Sequence, residues 1–153
     1  MATAYNRIEV MHGVNLDQLG RRNPEIYGGL SFDELELQIR EMAHDLGLEV
    51  IFFQTNHEGE FVEHLHRLAG MADGIILNPG AWTHYSYAIR DALAMLSTPV
   101  VEVHMTDVEH REPWRRVSVI EDVVAQRIIG KGVDGYRLAL EWLAQSQSVV
   151  GAD

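Results

Sequence analysis

The sequence predicts an α/β fold in which a five-stranded parallel sheet lies between two layers of helices. Short apolar runs alternate with segments of helical hydrophobic spacing along the whole chain. Strands separated by helices pair in parallel, because the return connection needs the length of a helix. The 153 residues contain no linker or repeat. We therefore expect one α/β domain that spans residues 1–153.

Five strands are expected, because five short apolar runs are each followed by polar or turn-forming residues. They cover residues 8–11, 49–54, 74–77, 99–103 and 123–129. A common order for a parallel sheet of five strands is 2-1-3-4-5. The sequence thus predicts a flavodoxin-like three-layer fold.

The helices are predicted from their hydrophobic spacing and their end signals. Ser31 and Glu34 have the spacing of a capping box at the start of one helix, and Gly47 suits its left-handed end. A later helix is expected over about residues 86–95. Apolar side chains at helical spacing define two more helices, with Phe61, Leu65 and Leu68 in one and Val133, Tyr136, Leu140, Leu143 and Ala144 in the last.

Composition and charge exclude several classes of protein. A formal net charge of −11 argues against binding to nucleic acid, which needs a basic surface. No apolar run approaches the ~20 residues of a membrane helix, and the first residues lack the pattern of a signal peptide. The sequence has no cysteine, which excludes disulfides and thiolate sites. We expect a cytoplasmic protein that binds neither nucleic acid nor membranes.

The cations of this acidic chain are unusual in type and position. Eleven of the twelve are arginines, and five of these lie at residues 21–22, 111 and 115–116. A single arginine is most simply a surface charge. Clustered guanidinium groups in an acidic protein instead favour the binding of a small anion, because their planar fork matches carboxylate and phosphate.

Polar residues follow three strands that the predicted order makes neighbours. Residues 12–15 follow the first strand, residues 78–80 the third and residues 104–107 the fourth, and each segment contains His or Asn. In this strand order, ligands bind beyond the carboxyl ends of the strands, at the switch point between strands 1 and 3. We expect a binding site there.

Residues 19–29 are predicted to form a loop, because they are rich in Gly, Pro and charge. Such a segment is long enough to close over the strand ends, where functional loops are common. Tyr27 within it has two interpretations. It packs against the body of the protein, or neighbouring arginines favour its ionised form and make it a general base.

Glu102 and His104 are two residues apart on the predicted fourth strand, so their side chains point to one face. A hydrogen bond between them would orient the imidazole and favour one tautomer or its cationic form. The alternative is a histidine at a strand end that bonds only to backbone. The spacing alone leaves both interpretations open.

The spacing of the candidate ligands does not favour metal or cofactor chemistry. His64 and His66 are two residues apart on a predicted helix and therefore point in different directions. The sole lysine, Lys131, lies between two glycines away from the other polar segments, and residues 12–15 lack a glycine-rich phosphate motif. We expect neither a metal nor a cofactor.

Five segments, in their order and spacing, resemble the type II 3-dehydroquinate dehydratases over about residues 8–143. They are HGVNLDQLGRRNPEIYG, QTNHEGEF, ILNPGAWTHYSYAIRDAL, VEVHMTDVEHREPWR and GKGVDGYRLALEWL. The resemblance implies conversion of 3-dehydroquinate to 3-dehydroshikimate by anti elimination of water through an enolate. That reaction belongs to both the shikimate and the quinate pathways.

The resemblance also implies which residues form and stabilise the enolate. Tyr27 matches the base that removes the proton beside the ketone. Arg22 matches the arginine that keeps this tyrosine ionised, and Arg111 matches a second cation nearby. Asn15 matches the residue that supports the enolate oxygen, often through a water molecule.

His104 matches the acid that protonates the departing hydroxyl, and Glu102 matches the residue that orients it. Asp91 matches a residue that reaches in from a neighbouring subunit, since relatives are usually trimers assembled into dodecamers. The positions that match the other substrate-binding residues are Asn78, His84, Met105, Thr106 and Arg115.

Three positions depart from the family pattern near the expected site. His12 and Val14 stand where an asparagine and a proline are usual, and Asp107 stands where an asparagine is usual. Asp107 would add negative charge beside an anion site. The alternative function is therefore a divergent or non-catalytic homologue that binds a related polyhydroxy-cyclohexane carboxylate.

Overall fold

The computed structural model describes residues 6–150, with side chains as far as residue 146. Its single described sheet has the order β2-β1-β3-β4-β5, and every neighbouring pair is parallel. The flavodoxin-like prediction is confirmed. The strands are β1 (Arg7–His12), β2 (Glu49–Gln54), β3 (Gly74–Asn78), β4 (Val100–His104) and β5 (Gln126–Ile129).

Five α-helices are described, and four of them cover the two faces of the sheet. The helices are α1 (Pro24–Tyr27), α2 (Phe32–Asp45), α3 (Glu58–Leu68), α4 (Tyr87–Ala94) and α5 (Asp134–Val150). Helices α2 and α5 pack on one face, and α3 and α4 pack on the other. Strands β3 and β4 are buried along their whole length, whereas the edge strands β2 and β5 are partly exposed.

The expected helix ends are present. The Ser31 hydroxyl accepts a hydrogen bond from the backbone N–H of Glu34 at 3.1 Å, and the Glu34 carboxylate accepts one from the backbone N–H of Ser31. The capping box is therefore formed. Gly47 has φ 73°, a left-handed conformation that a side chain would strain. Ser86 and Met95 cap α4 at its two ends, as the predicted bounds of that helix indicated.

Two predicted boundaries are wrong. The fifth strand begins at Gln126 and not at residue 123, because residues 121–125 form turns. Val123 and Val124 are apolar because they pack on the α3/α4 core. Residues 19–29 are not a plain loop: the 3-10 helix Leu16–Arg21 and then α1 occupy most of the segment. The Asn23 side chain caps α1, and Pro24 occupies its first turn.

Among residues 6–150, no helix combines the length and the apolar composition that crossing a bilayer would require.

The ends of β1 and β3 approach each other more closely than side chains would permit. The Gly13 N–H donates to the Asn78 carbonyl at 2.8 Å, and a Cβ atom on Gly13 would lie 2.3 Å from the Pro79 carbonyl oxygen. Glycine at this position therefore allows the two polar segments that follow these strands to meet.

Replacing Gly13 by Ala should destabilise the protein by about 2 kcal/mol, because the backbone at Pro79 must move to admit the methyl group. The matched control is Gly59→Ala, since a Cβ there meets nothing within 4 Å. Denaturant unfolding of both variants measures the difference. Equal midpoints for Gly13→Ala and Gly59→Ala would contradict the close approach.

Candidate active site

A cavity of about 220 Å³ lies at the carboxyl ends of β1, β3 and β4. Its walls carry guanidinium, imidazole, amide and hydroxyl groups, and none of the described residues that line it is Asp or Glu. Ten of the twelve residues singled out from the sequence line this cavity: Asn15, Arg22, Tyr27, Asn78, His84, His104, Met105, Thr106, Arg111 and Arg115.

Glu102 lies directly behind His104 and has no exposed surface. Its Oε2 atom is 2.6 Å from Nε2 of His104, so the hydrogen bond that the spacing allowed is formed. Burial acts to raise the pKa of Glu102. The hydrogen bond and charge of His104, the hydroxyl of Thr83 and the charge of Arg127 outweigh it, so that the pKa is lowered overall.

The hydrogen bond to Glu102 determines which nitrogen of His104 can act on a ligand. A carboxylate only accepts hydrogen bonds, so Nε2 carries a proton and donates a hydrogen bond to Glu102. Nδ1 is the second nitrogen, and it carries a proton when the ring is cationic. Because His104 lines the cavity, a cationic ring can give up this proton while Nε2 keeps its own proton in the hydrogen bond to Glu102.

Tyr27 lies beneath two guanidinium groups. The Cζ atom of Arg22 is 3.9 Å from the centroid of the Tyr27 ring, and that of Arg111 is 5.3 Å away. Burial, together with the charges of Arg111 and Arg115, lowers the pKa of Arg22, whereas the ionised form of Tyr27 opposes this shift. Two guanidinium groups therefore lie over the Tyr27 ring at the wall of the cavity.

Hydrogen bonds fix two further polar groups of the cavity wall, the Asn78 amide and the Thr106 hydroxyl. The amide of Asn78 accepts from the N–H of Gly80 at 3.1 Å, and Nη1 of Arg111 donates to the Thr106 hydroxyl at 3.4 Å. An amide, a hydroxyl and a guanidinium group at one wall are suitable donors for a carboxylate.

His84 and Arg115 form another part of the wall, beside Trp114. The Nδ1 atom of His84 donates to the Val117 carbonyl at 2.7 Å, because a carbonyl can only accept. Burial lowers the pKa of His84, the hydrogen bond to Val117 opposes the shift, and the charges of His104 and Arg115 add to it. His84 is therefore held as a neutral ring with Nε2 free to bond a hydroxyl group.

Asn15 occupies a left-handed conformation with φ 70°, which asparagine tolerates better than most residues. Its backbone N–H donates to the Asn56 side chain at 2.8 Å, and Asn56 in turn bonds to Gln54 and Asp17. The segment after β2 thus fixes the backbone of Asn15 at the mouth of the cavity.

The sequence profile of the family described as dehydroquinase class II matches residues 6–144.

The chain belongs to the class II dehydroquinase family.

Relatives and solved structures agree with this assignment over nearly the whole chain. A 3-dehydroquinate dehydratase of Roseiflexus castenholzii is 50% identical over 137 residues, which is 90% of this chain and 87% of the relative. One of Anoxybacillus flavithermus is 48% identical over 134 residues, 88% of this chain and 90% of the relative. The type II dehydroquinase of Butyrivibrio crossotus superposes with a TM-score of 0.89 and 41% identity, covering 92% of this chain and 99% of that structure.

Two of the twelve singled-out residues of this class II dehydroquinase lie outside the wall of the cavity. Glu102 is buried behind His104, as its expected orienting role requires. Asp91 is exposed on α4 and is not among the residues that line the cavity of its own chain. The Asp107 carboxylate lies 2.6 Å from Nδ1 of His110, and Asp107 is not among the residues that line the cavity.

His12 is another position that departs from the family pattern. It is fully buried under α2 and α5. Its Nε2 is 2.9 Å from the hydroxyl of Tyr136, which also accepts from Asn78 at 3.4 Å. The Phe32 ring meets the imidazole edge to face. Burial lowers the pKa of His12 to about 3. His12 is thus a neutral core residue that supports Asn78 through Tyr136.

We expect His12 to make stability depend on pH below its ordinary pKa of about 6.5. The unfolded chain binds a proton there, whereas the folded chain does not until pH falls to about 3. The free energy of unfolding should therefore fall by about 2 kcal/mol from this group between pH 7 and pH 5. Denaturant unfolding of His12→Asn should show a shallower decline, whereas the exposed control His66→Asn should match the native slope. Equal slopes for both variants would show that His12 is not held neutral.

Sequence reasoning missed the residues that surround Glu102. Thr83, Ser118 and Arg127 all donate to its carboxylate. Thr83 lies in the 3-10 helix Gly80–His84 and Ser118 in an irregular segment, and nothing in their local pattern indicates a partner. Arg127 could have been found only from the pairing register of β4 and β5, in which it faces Glu102.

Proposed function

We propose that this protein converts 3-dehydroquinate to 3-dehydroshikimate by anti elimination of water. The observation that carries this proposal is the placement of two proton-transfer groups on one cavity. Tyr27 lies beneath Arg22 and Arg111, and His104 is held by Glu102. A base and an acid that come from different elements can act on opposite sides of one ring.

Tyr27 acts as the base in the first step. As phenolate, it takes the proton from the carbon beside the substrate ketone, and the electron pair of that bond forms the enolate. The arginines keep the phenol ionised before the step. Asn15, fixed by Asn56, stabilises the negative oxygen of the enolate, directly or through a water molecule.

His104 acts as the acid in the second step. The enolate returns to a ketone, and its electron pair forms a new carbon–carbon double bond to C1. The bond between C1 and its hydroxyl oxygen breaks at the same time. The Nδ1 proton of His104 goes to this hydroxyl, so that water and not hydroxide departs. Glu102 remains anionic throughout and holds the ring by Nε2. Proton exchange with solvent then returns Tyr27 to phenolate and His104 to its cation.

The cavity wall supplies the groups that bind and orient the substrate. Asn78, Thr106 and the backbone at Met105 bind its carboxylate, and His84 and Arg115 bind its ring hydroxyls. No Asp or Glu is among the described residues of this chain that line the cavity, so the chain's own lining does not repel the substrate carboxylate.

We further propose a cytoplasmic homododecamer built from trimers. The support is that Asp91, a position expected to act on substrate, does not reach the cavity of its own chain. A neighbouring subunit must then bring its Asp91 to the site. Sedimentation analysis should give a species twelve times the mass of the chain, and an active monomer would contradict the proposal.

The activity is tested by adding the protein to 3-dehydroquinate and following ultraviolet absorbance. The product is a conjugated enone acid and the substrate is not, so absorbance should rise. Borohydride added with substrate should not inactivate the protein, because the mechanism forms no imine with Lys131. A calorimetric binding signal without a rise in absorbance would instead favour a divergent homologue that binds a related polyhydroxy-cyclohexane carboxylate.

A further inference from the structure

The carboxylate of Glu102 contacts an imidazole at one oxygen and a guanidinium group at the other. Nε2 of His104 is 2.6 Å from Oε2, and Nε of Arg127 is 3.2 Å from Oε1. The Ser118 hydroxyl is 3.1 Å from Oε1, and Thr83 donates to Oε2. The buried carboxylate thus has a guanidinium partner besides the imidazole that it orients.

The fold places Arg127 at this position. Arg127 and Glu102 are directly paired residues on the neighbouring parallel strands β5 and β4, so their side chains lie on the same face. The side chain of Arg127 is only 15% exposed, which is low for an arginine on a short edge strand. Its guanidinium group points inward to Glu102, and the cavity lining does not include it.

The charge of Glu102 acts on His104 in two opposed ways. A carboxylate beside the ring fixes its orientation, but it also attracts the proton that an acid must release. A guanidinium group on the far oxygen takes up part of the negative charge. The imidazole then keeps its hydrogen bond and its orientation while its cationic form is stabilised less.

We propose that Arg127 is a positioning residue that holds Glu102 in place as an anion and thereby sets how readily His104 releases its proton. This proposal rests on the proposed function, in which His104 protonates the departing hydroxyl. Arg127 acts through Glu102 and does not touch the substrate.

Other charges face the same groups and set the limits of the effect. His84 lies beside His104 on the cavity side, with ring centroids 6.4 Å apart. Arg127 itself faces two exposed carboxylates, Glu109 at 3.9 Å and Glu121 at 3.8 Å from Nη1. These two carboxylates also interact with the guanidinium charge of Arg127, and this weakens its effect on Glu102.

The experiment measures kcat against pH for Arg127→Gln in the full-length protein. We expect kcat at neutral pH to fall about 5- to 10-fold and the alkaline limb of the profile to move up by about half to one pH unit. KM should change less than about twofold, because Arg127 does not line the cavity. Arg137→Gln removes the same charge from an exposed ion pair on α5 and should match the native profile.

A conservative variant separates the charge of Arg127 from its packing. Arg127→Lys keeps the cation, so its alkaline limb should stay within about a quarter of a unit of the native one. If Arg127→Gln only lowers the unfolding midpoint, and its limb matches that of Arg137→Gln, Arg127 is merely structural and the proposal is overturned.

A third variant keeps the test decisive if Arg127→Gln does not fold. Replacing both exposed carboxylates, by Glu109→Gln with Glu121→Gln, leaves Arg127 free to act on Glu102 alone. The alkaline limb should then move down, opposite to the shift for Arg127→Gln. An unmoved limb would contradict the proposal, whereas a native protein without any turnover would overturn the proposed function itself.

Discussion

Tyr27→Phe is expected to lower kcat by about 10³-fold or more. Phenylalanine keeps the ring that packs beneath Arg22 but removes the oxygen that takes the substrate proton. General bases contribute roughly 10²- to 10⁴-fold to turnover. The effect should fall near the upper end, since the proton beside a ketone is weakly acidic. Initial rates from ultraviolet absorbance give kcat.

Binding to Tyr27→Phe should change little, because the carboxylate and hydroxyl binding groups are intact. Calorimetric titration with quinate should give a Kd within a few-fold of the native value. Tyr87→Phe is the matched control, since its ring is exposed on α4 and does not line the cavity. Native turnover by Tyr27→Phe would remove this residue from the role of base.

His104→Gln is expected to lower kcat by a similar factor for a different reason. The enolate still forms, but hydroxide must depart without a proton, and it is a poor leaving group. The enolate therefore returns to substrate more often than it goes forward. The matched control is His66→Gln on the exposed side of α3.

Deuterium exchange distinguishes the two losses. In D₂O, His104→Gln should introduce deuterium beside the ketone of recovered 3-dehydroquinate, measured by proton NMR, faster than it forms product. Tyr27→Phe should not introduce deuterium faster than buffer does. If exchange is lost in both variants, His104 takes part before the enolate forms and the two-step assignment fails.

The order of the elements was predictable because short apolar runs alternate with segments of helical hydrophobic spacing in this chain. The boundary errors came from side chains whose polarity does not report their secondary structure. Val123 and Val124 pack on the core from a turn, and an apolar pair there resembles the start of a strand. Residues 19–29 were predicted as a loop from their Gly, Pro and charge content, whereas in the structure Asn23 caps a short helix that begins at Pro24.

Much of the candidate site was predictable because its residues follow strands that the fold brings together. Glu102 and His104 were identifiable from their spacing on one strand. Arg127 was not, because the pairing register between strands depends on tertiary packing and is absent from local sequence. The burial of His12 was also missed, since a residue at a strand end can face either the cavity or the core.

The most direct test of the mechanism is a crystal structure with a bound unreactive analogue of the enolate. The account predicts that the Tyr27 oxygen and Nδ1 of His104 contact opposite faces of one six-membered ring, each within hydrogen-bonding reach of the atom it serves. A complex in which both groups lie on the same face, or in which either one cannot reach the ring, would contradict it.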